Sequence, residues 1–400
     1  MSGLRVAGRT ARIAEDDGAW LVHDRAVERR ARGEDIILLS IGDPDFDTPE
    51  PIRAAAVAAL GRGRTHYPAS GGEPALRAAV AEVTSRQAGI PVSPDQVVGF
   101  PGTQAALFGL AQCLFDEGDE VIVPEPTYVT YPGVLGAAGA LMRFVSLRPE
   151  RGFHIDPDEV ARAVTPRTRA LLINFPHNPT GSTLAREEAE ALAAICRRHD
   201  LILISDEVYA ALAFDTPHMS PAGLPGMAER TAIVSSLSKS HAMTGWRCGW
   251  TVTPPSLAGH LRNIARIMHF GVTQFVQDAA AVALRDAGPE LEALRQAYER
   301  RARLVVGRLQ GVRGLTCRMP EAGMYVFADV RGTGMSGNAF GAELLEATGV
   351  AVLPGEGFGP SGAGHVRITV GTADARLALA CDRIAAFAEG RAMPAGAIAG

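Results

Sequence analysis

The chain has 400 residues, 47% of them apolar, with a formal net charge of −5. That length exceeds one compact core and predicts two units sharing an interface. The near-neutral charge, with no lysine or arginine block, excludes an electrostatic nucleic-acid or membrane-surface partner. Cys113, Cys196, Cys248, Cys317 and Cys381 include no Cys-x-x-Cys pair, which fits a reducing compartment and offers no thiolate metal site.

The first residues carry Arg5, Arg9 and Arg12, then the acidic Glu15, Asp16 and Asp17, without an apolar stretch that would make a secretory signal. Residues 1–35 are read as an arm followed by a helix, with Trp20, Val22 and Val27 as apolar contacts. Residues 36–41 form a short apolar strand that ends in Gly42-Asp-Pro-Asp-Phe-Asp-Thr-Pro, a run of turn residues. Thr65-His66-Tyr67-Pro68 leads through Gly71 and Gly72 into a helix over 73–86. Gly102-Thr103-Gln104 opens a helix with Leu107, Leu110, Ala111 and Leu114 on one face. Such a turn presents free backbone N–H groups and the positive end of the helix dipole, a phosphate seat, although capping by Thr103 explains it equally well.

Residues 120–124 are the next strand, followed by Glu-Pro-Thr-Tyr128-Val-Thr-Tyr131-Pro, in which Tyr131 is read as packing. The charge-free stretch 126–142 is broken by Pro132 and glycines and cannot span a membrane. Residues 169–174 make a strand closed by Phe-Pro-His-Asn178-Pro-Thr-Gly, where His177 is read as facing solvent. A helix over 187–199 precedes the apolar strand 201–205, which delivers Asp206. Two helical patterns cover 256–308. A smaller α+β unit follows, with strands near 315–319, 323–330 and 365–369 and helices over 337–347 and 374–387. The glycines around Glu356 lack a surrounding Rossmann unit and imply no nucleotide site. The Pro-Ala-Gly tail after 392 is read as disordered.

The stretch that organises the rest is Ser236-Leu-Ser238-Lys239-Ser-His-Ala-Met-Thr-Gly-Trp-Arg247, which follows the β-branched run Thr-Ala-Ile-Val-Ser. Lys239 therefore lies just past a strand's carboxyl end, the edge where open α/β sheets bind ligands. A lysine there is placed to hold an anion or to form a Schiff base with a carbonyl cofactor.

Ser-x-Ser-Lys followed by Arg247 resembles the pyridoxal-phosphate lysine signature of class I/II aminotransferases, and the likeness continues in order from Ile41 to Arg367. It is similar above all to the arginine-pyruvate transaminases of that family, through Ser-Pro-Ala-Gly-Leu-Pro-Gly-Met-Ala and the lysine stretch itself. The resemblance implies an α/β fold of type I. A large cofactor-binding domain over 36–275 would carry a mostly parallel sheet flanked by helices. A small α+β domain over 276–400 would pack with the N-terminal segment, 1–35. It implies pyridoxal 5′-phosphate on Lys239, an L-amino acid donor such as arginine, a keto acid acceptor such as pyruvate, and a cytoplasmic homodimer with shared sites.

By the same resemblance, Gly102, Thr103, Gln104, Ser236, Ser238 and Arg247 hold the phosphate, and Tyr67 reaches the neighbouring subunit's phosphate. Tyr128 stacks on the pyridine ring, Asp206 pairs with its nitrogen, and Tyr209 and Asn178 bond its phenolic oxygen. Arg367 grips the substrate carboxylate with a bidentate fork, assisted by Asn178, while Gly42 lets backbone approach the substrate. Lys239 moves a proton between the substrate and the cofactor. His269 stands where dicarboxylate-specific relatives carry arginine. Asp16, Asp17, Trp20 and Asp45 are the acidic and aromatic residues available to a guanidino group. The same residues also serve lyases, cyclases, decarboxylases and oxidases of this fold.

Overall fold

The computed structural model describes residues 19–286 and 288–393; the arm over 1–18, with Asp16 and Asp17, and nearly all of the tail, 394–400, lie outside the described residues. After the short β1 (Ile37–Leu38) come β2 (Val97–Phe100), β3 (Glu120–Glu125), β4 (Leu141–Ser146), β5 (Thr168–Asn174), β6 (Ile202–Asp206), β7 (Thr231–Ser236) and β8 (Gly249–Val252). These last seven form one sheet in the order β2-β8-β7-β6-β5-β3-β4. Every pairing is parallel except the two made by β8.

The central strands read as continuous apolar runs because both of their faces are covered. Side chains alternate between those faces. Val121, Val123, Ala170 and Leu172 meet the helices Thr103–Leu114 and Pro255–His269, whereas Ile122, Leu171 and Ile173 meet the helix Arg186–Arg198. That helix begins with Glu187 and Glu188 and ends with Arg197 and Arg198, which complements its dipole. Four of the parallel strands, β3, β5, β6 and β7, end at Glu125, Asn174, Asp206 and Ser236, and so collect polar groups along one edge.

The C-terminal elements are β9 (Thr316–Cys317), β10 (Tyr325–Asp329), β11 (Val350–Ala351), β12 (Leu353–Pro354) and β13 (His365–Thr369). Four of them make an antiparallel sheet in the order β12-β13-β10-β9. The fifth, β11, pairs in parallel with β1, so the strand expected over 36–41 is two residues long and belongs beside the end of the chain. Ile37 and Leu39 are buried among Leu344, Val350, Val352 and Leu377. The helix Gln274–Asp286 lies against Glu50–Gly61 and Pro74–Ala88.

His154 ties the two sheet systems together. Its ring nitrogens lie 3.2 Å from Glu188 and 3.1 Å from Glu321, just ahead of β10. The two carboxylates raise the imidazole pKa to about 10. Among the described residues no helix is long and apolar enough to cross a membrane, and no cluster of His, Cys, Asp or Glu is arranged to hold a metal ion.

Candidate active site

One cavity at the carboxyl edge of the large sheet is lined by Thr103, Gln104, Tyr128, Asn178, Asp206, Tyr209, Ser236, Ser238, Lys239 and Arg247. A second shares Tyr128, Tyr209 and Lys239 with it and adds Gly42, Tyr325 and Arg367. Twelve of the fourteen residues singled out in the sequence thus line one continuous site. Gly102 stands at its rim as the N-cap of the helix Thr103–Leu114. Tyr67 is elsewhere on this chain: it is 80% exposed and its ring lies 4.7 Å from that of Phe270.

The floor of the site is Asp206. Its carboxylate is buried at the end of β6. Oδ2 accepts from the Tyr131 hydroxyl at 2.7 Å, and Oδ1 accepts from the Val208 N–H at 3.2 Å. Burial raises the Asp206 pKa to about 6, outweighing both donors. Tyr131 therefore does more than pack, a role that its sequence context did not reveal. Asn174, at the end of β5, binds the Asp206 carbonyl through Nδ2 (3.0 Å) and the Asn178 N–H through Oδ1 (3.0 Å). It fixes the neighbouring turn and was also missed.

At one end of the cavity lies an anion seat. Gly102 has φ 87°, a conformation that favours glycine, and a Cβ there would sit 2.8 Å from the Arg247 guanidinium carbon. The Thr103 hydroxyl is buried without a partner and the helix has no side-chain cap, so Thr103 is not the capping residue. The free N–H groups of the first turn, this hydroxyl and Arg247 converge with the Ser236 and Ser238 hydroxyls, a donor set suited to a phosphate dianion. Arg247 is itself held by the Thr244 carbonyl at 2.8 Å. It adopts φ 51°, as Ala242 adopts φ 50°, which marks a strained backbone through the lysine loop.

At the other end is Arg367 on β13, also buried. One guanidinium nitrogen donates to Asn178 Oδ1 at 3.0 Å and another to the Ser40 carbonyl at 2.8 Å, while Nε is buried without a partner. The guanidinium carbon lies 4.2 Å from the centre of the Tyr325 ring. Between the two ends, Lys239 Nζ donates to the Gly42 carbonyl. The Tyr209 hydroxyl is 3.0 Å from that of Tyr325 and 3.5 Å from Asn178 Nδ2. Burial, and after it the Tyr325 phenol, push the Tyr209 pKa well above the ordinary phenol value. The Tyr128 ring lies edge-on to Tyr131 at 5.6 Å. The arrangement offers an amine between a buried carboxylate and a buried guanidinium, with an anion seat alongside.

Two further expectations meet a different structure. His177 is buried, not solvent-facing; it bonds the Thr180 hydroxyl at 2.8 Å, and burial lowers its pKa to about 3. Asp45 is engaged by Arg301 through two bonds of 2.7 and 3.0 Å, so it is not a free carboxylate for a substrate. His269 packs edge-on to Phe100 at 5.4 Å, and burial lowers its pKa.

A family model described as aminotransferase class I and II matches residues 34–384. An arginine–pyruvate transaminase of Pseudomonas aeruginosa is 52% identical over 96% of this chain and 98% of its own length. An aspartate aminotransferase of Geobacillus stearothermophilus is 36% identical over 97% of this chain and its own full length. Among solved structures, an aspartate aminotransferase of Thermus thermophilus with maleate superposes with a TM-score of 0.91 at 37% identity, covering 96% of this chain and all of that one.

Proposed function

We propose, from the premise that this chain belongs to the class I and II aminotransferases and is a transaminase, that it takes the amino group of arginine or a related guanidino acid and passes it to pyruvate, using pyridoxal 5′-phosphate held at Lys239. The observation that carries the cofactor is the lysine amine set between a buried carboxylate and an anion seat in one cavity. The 52% identity to an arginine–pyruvate transaminase supports the substrates.

The bound cofactor supplies an aldehyde for the amino group and an electron-withdrawing ring. The chain supplies the rest. Asp206, ionised beside a positive ring nitrogen, holds the nitrogen's proton, and Tyr131 orients the carboxylate. Thr103, Ser236, Ser238 and Arg247 anchor the phosphate, and Tyr128 limits the tilt of the ring. Arg367 has an unpartnered Nε and a fork otherwise shared with Asn178 and Ser40, and it turns toward the substrate carboxylate. Freed from Gly42, the Lys239 amine would be the base that takes the proton from the substrate α-carbon and holds it at Nζ.

We also read residues 36–275 as the cofactor-binding unit and 276–400, with the N-terminal helix, as the smaller one. The separate antiparallel sheet and its own core support this division. The protein is read as a homodimer in which Tyr67 reaches the partner's phosphate, supported by an exposed apolar group of Tyr67, Ile267 and Phe270. A reducing cytoplasm suits its five free cysteines.

The test is a half-reaction. Arginine added to the cofactor-loaded protein is expected to bleach the aldehyde absorbance, and pyruvate to restore it. Faster bleaching by another amino acid replaces arginine as the donor. Recovery without any keto acid refutes transfer to pyruvate. Lys239→Ala is expected to abolish both phases and the starting absorbance; retained multiple turnover refutes its role.

A further inference from the structure

The geometry points to Tyr325 as a positioning residue that sets the hydrogen-bond direction of Tyr209 and the plane of Arg367, an inference that rests on the reading of the cavity as a transaminase site. Tyr325 opens β10, is 3% exposed, and belongs to neither the lysine signature nor any turn that identified the other residues. Its hydroxyl lies 3.0 Å from that of Tyr209. Its ring carries the Arg367 guanidinium on one face at 4.2 Å, a cation–π contact between buried groups. The circle closes through Asn178, whose Oδ1 accepts from Arg367 at 3.0 Å and whose Nδ2 lies 3.5 Å from the Tyr209 hydroxyl.

The backbone is shaped around this phenol. A Cβ on Gly42 would overlap the Tyr325 hydroxyl and sit 2.7 Å from the ring carbon that bears it. The absence of a side chain at Gly42 thus serves Tyr325 as well as the approach of a substrate. The same residue offers its carbonyl to Lys239. One side chain is therefore in contact with the strap that receives the lysine, with the phenol beside it, and with the guanidinium opposite.

The proton bookkeeping gives the hydroxyl its role. Tyr209 has one proton, and Asn178 Nδ2 can only donate to it. Either oxygen of the 3.0 Å pair can be the donor; when it is Tyr325, as it is once the Tyr209 hydroxyl serves a group in the cavity shared with Lys239, the Tyr209 proton points into that cavity. Removing the Tyr325 donor leaves the Tyr209 oxygen with Asn178 alone and makes its hydroxyl a weaker donor into the cavity, which weakens its support of negative charge on a cofactor oxygen.

Tyr325→Phe and Tyr325→Leu separate the two tasks. In cofactor-loaded Tyr325→Phe the pH midpoint of the visible absorbance is expected to move upward by roughly half a unit or more, the size of one hydrogen bond. Its KM for the amino acid stays within about twofold, since the ring still backs Arg367. Tyr325→Leu removes the ring and is expected to raise that KM roughly tenfold while kcat falls less. An unmoved midpoint together with an unmoved KM overturns the proposal, as does a parallel fall of kcat and kcat/KM in both variants with unchanged spectra. A double-mutant cycle of Tyr209→Phe and Tyr325→Phe, read by denaturant midpoints, needs no turnover. Coupling between the phenols is expected, and strict additivity overturns the pairing. A wild type that responds to no amino acid but shows that coupling removes the transaminase reading of the cavity and leaves the phenol pair standing.

Discussion

Replacing Asp206 by asparagine in cofactor-free protein is expected to stabilise the fold. The native carboxyl titrates near 6 instead of 3.8 because burial disfavours its charge. A raised acid pKa means that the folded state binds the proton more tightly than the unfolded chain. The stability linked to that proton is complete below pH 3.8 and is lost as pH rises through about 6. The separation of about two pK units, at about 1.4 kcal/mol each, makes the ionised group unfavourable by roughly 3 kcal/mol at pH 8. Asparagine keeps the shape but carries no charge: its oxygen accepts from the Val208 N–H and its amide nitrogen donates to the Tyr131 hydroxyl, which turns to accept. Urea denaturation of the two proteins at pH 5 and pH 8 measures the effect: a higher midpoint for Asp206→Asn at pH 8, and a gap that shrinks at pH 5. Added pyridoxal phosphate should narrow or reverse the order, because the wild-type carboxylate then faces a positive ring nitrogen. Equal midpoints at pH 8 would show that the carboxylate carries no such desolvation and refute the reasoning.

Arg367→Ala is expected to raise the half-saturating amino-acid concentration by a factor equivalent to about 2–4 kcal/mol; an unchanged value takes Arg367 out of the site. Tyr131→Phe removes the 2.7 Å donor to Asp206 and should destabilise cofactor-free protein by about 1–3 kcal/mol at pH 8, less at pH 5. The same loss in an Asp206→Leu background would sink that account. His154, with its pKa raised to about 10 by Glu188 and Glu321, contributes stability that is complete below its unfolded value of 6.5 and is lost as pH rises through about 10. His154→Gln should therefore flatten the stability profile between pH 7 and 10, seen as thermal midpoints that no longer fall; an unchanged slope would refute it.

The strands that end at Asn174, Asp206 and Ser236 were legible because an apolar run followed by polar turn residues is a local pattern. The residues hung on those ends, Asn178, Asp206, Tyr209 and Lys239, were singled out by the resemblance of their motifs to those of the aminotransferases, and the fold brings them to one cavity. Tyr131 and Tyr325 were not, since their meaning lies in contacts with Asp206 and Tyr209, 75 and 116 positions away. Aromatic residues in apolar surroundings read as core until a partner hydroxyl is in view. His177 was misjudged because a turn is usually solvated, whereas this one is buried beneath Phe175 and bonded to Thr180. Asp45 looked available to a guanidino substrate until Arg301, from a distant helix, took both of its oxygens. The length and partner of β1 were likewise decided by a segment that local periodicity cannot see.

That pairing of β1 with β11 has a consequence for how the protein is made. On the ribosome, Ile37 and Leu38 emerge about 300 residues before Val350 and Ala351, which at about 5–20 residues per second is a wait of roughly 15 to 60 seconds. In the part of that interval after β8 has emerged the large sheet can assemble, yet Gly42 has no docked strand to hold it over Lys239, and Arg367 has not been synthesised. A nascent or truncated chain can thus bury most of its core while its lysine loop stays unroofed. The candidate site is among the last features to be completed, closing only after Arg367 has emerged.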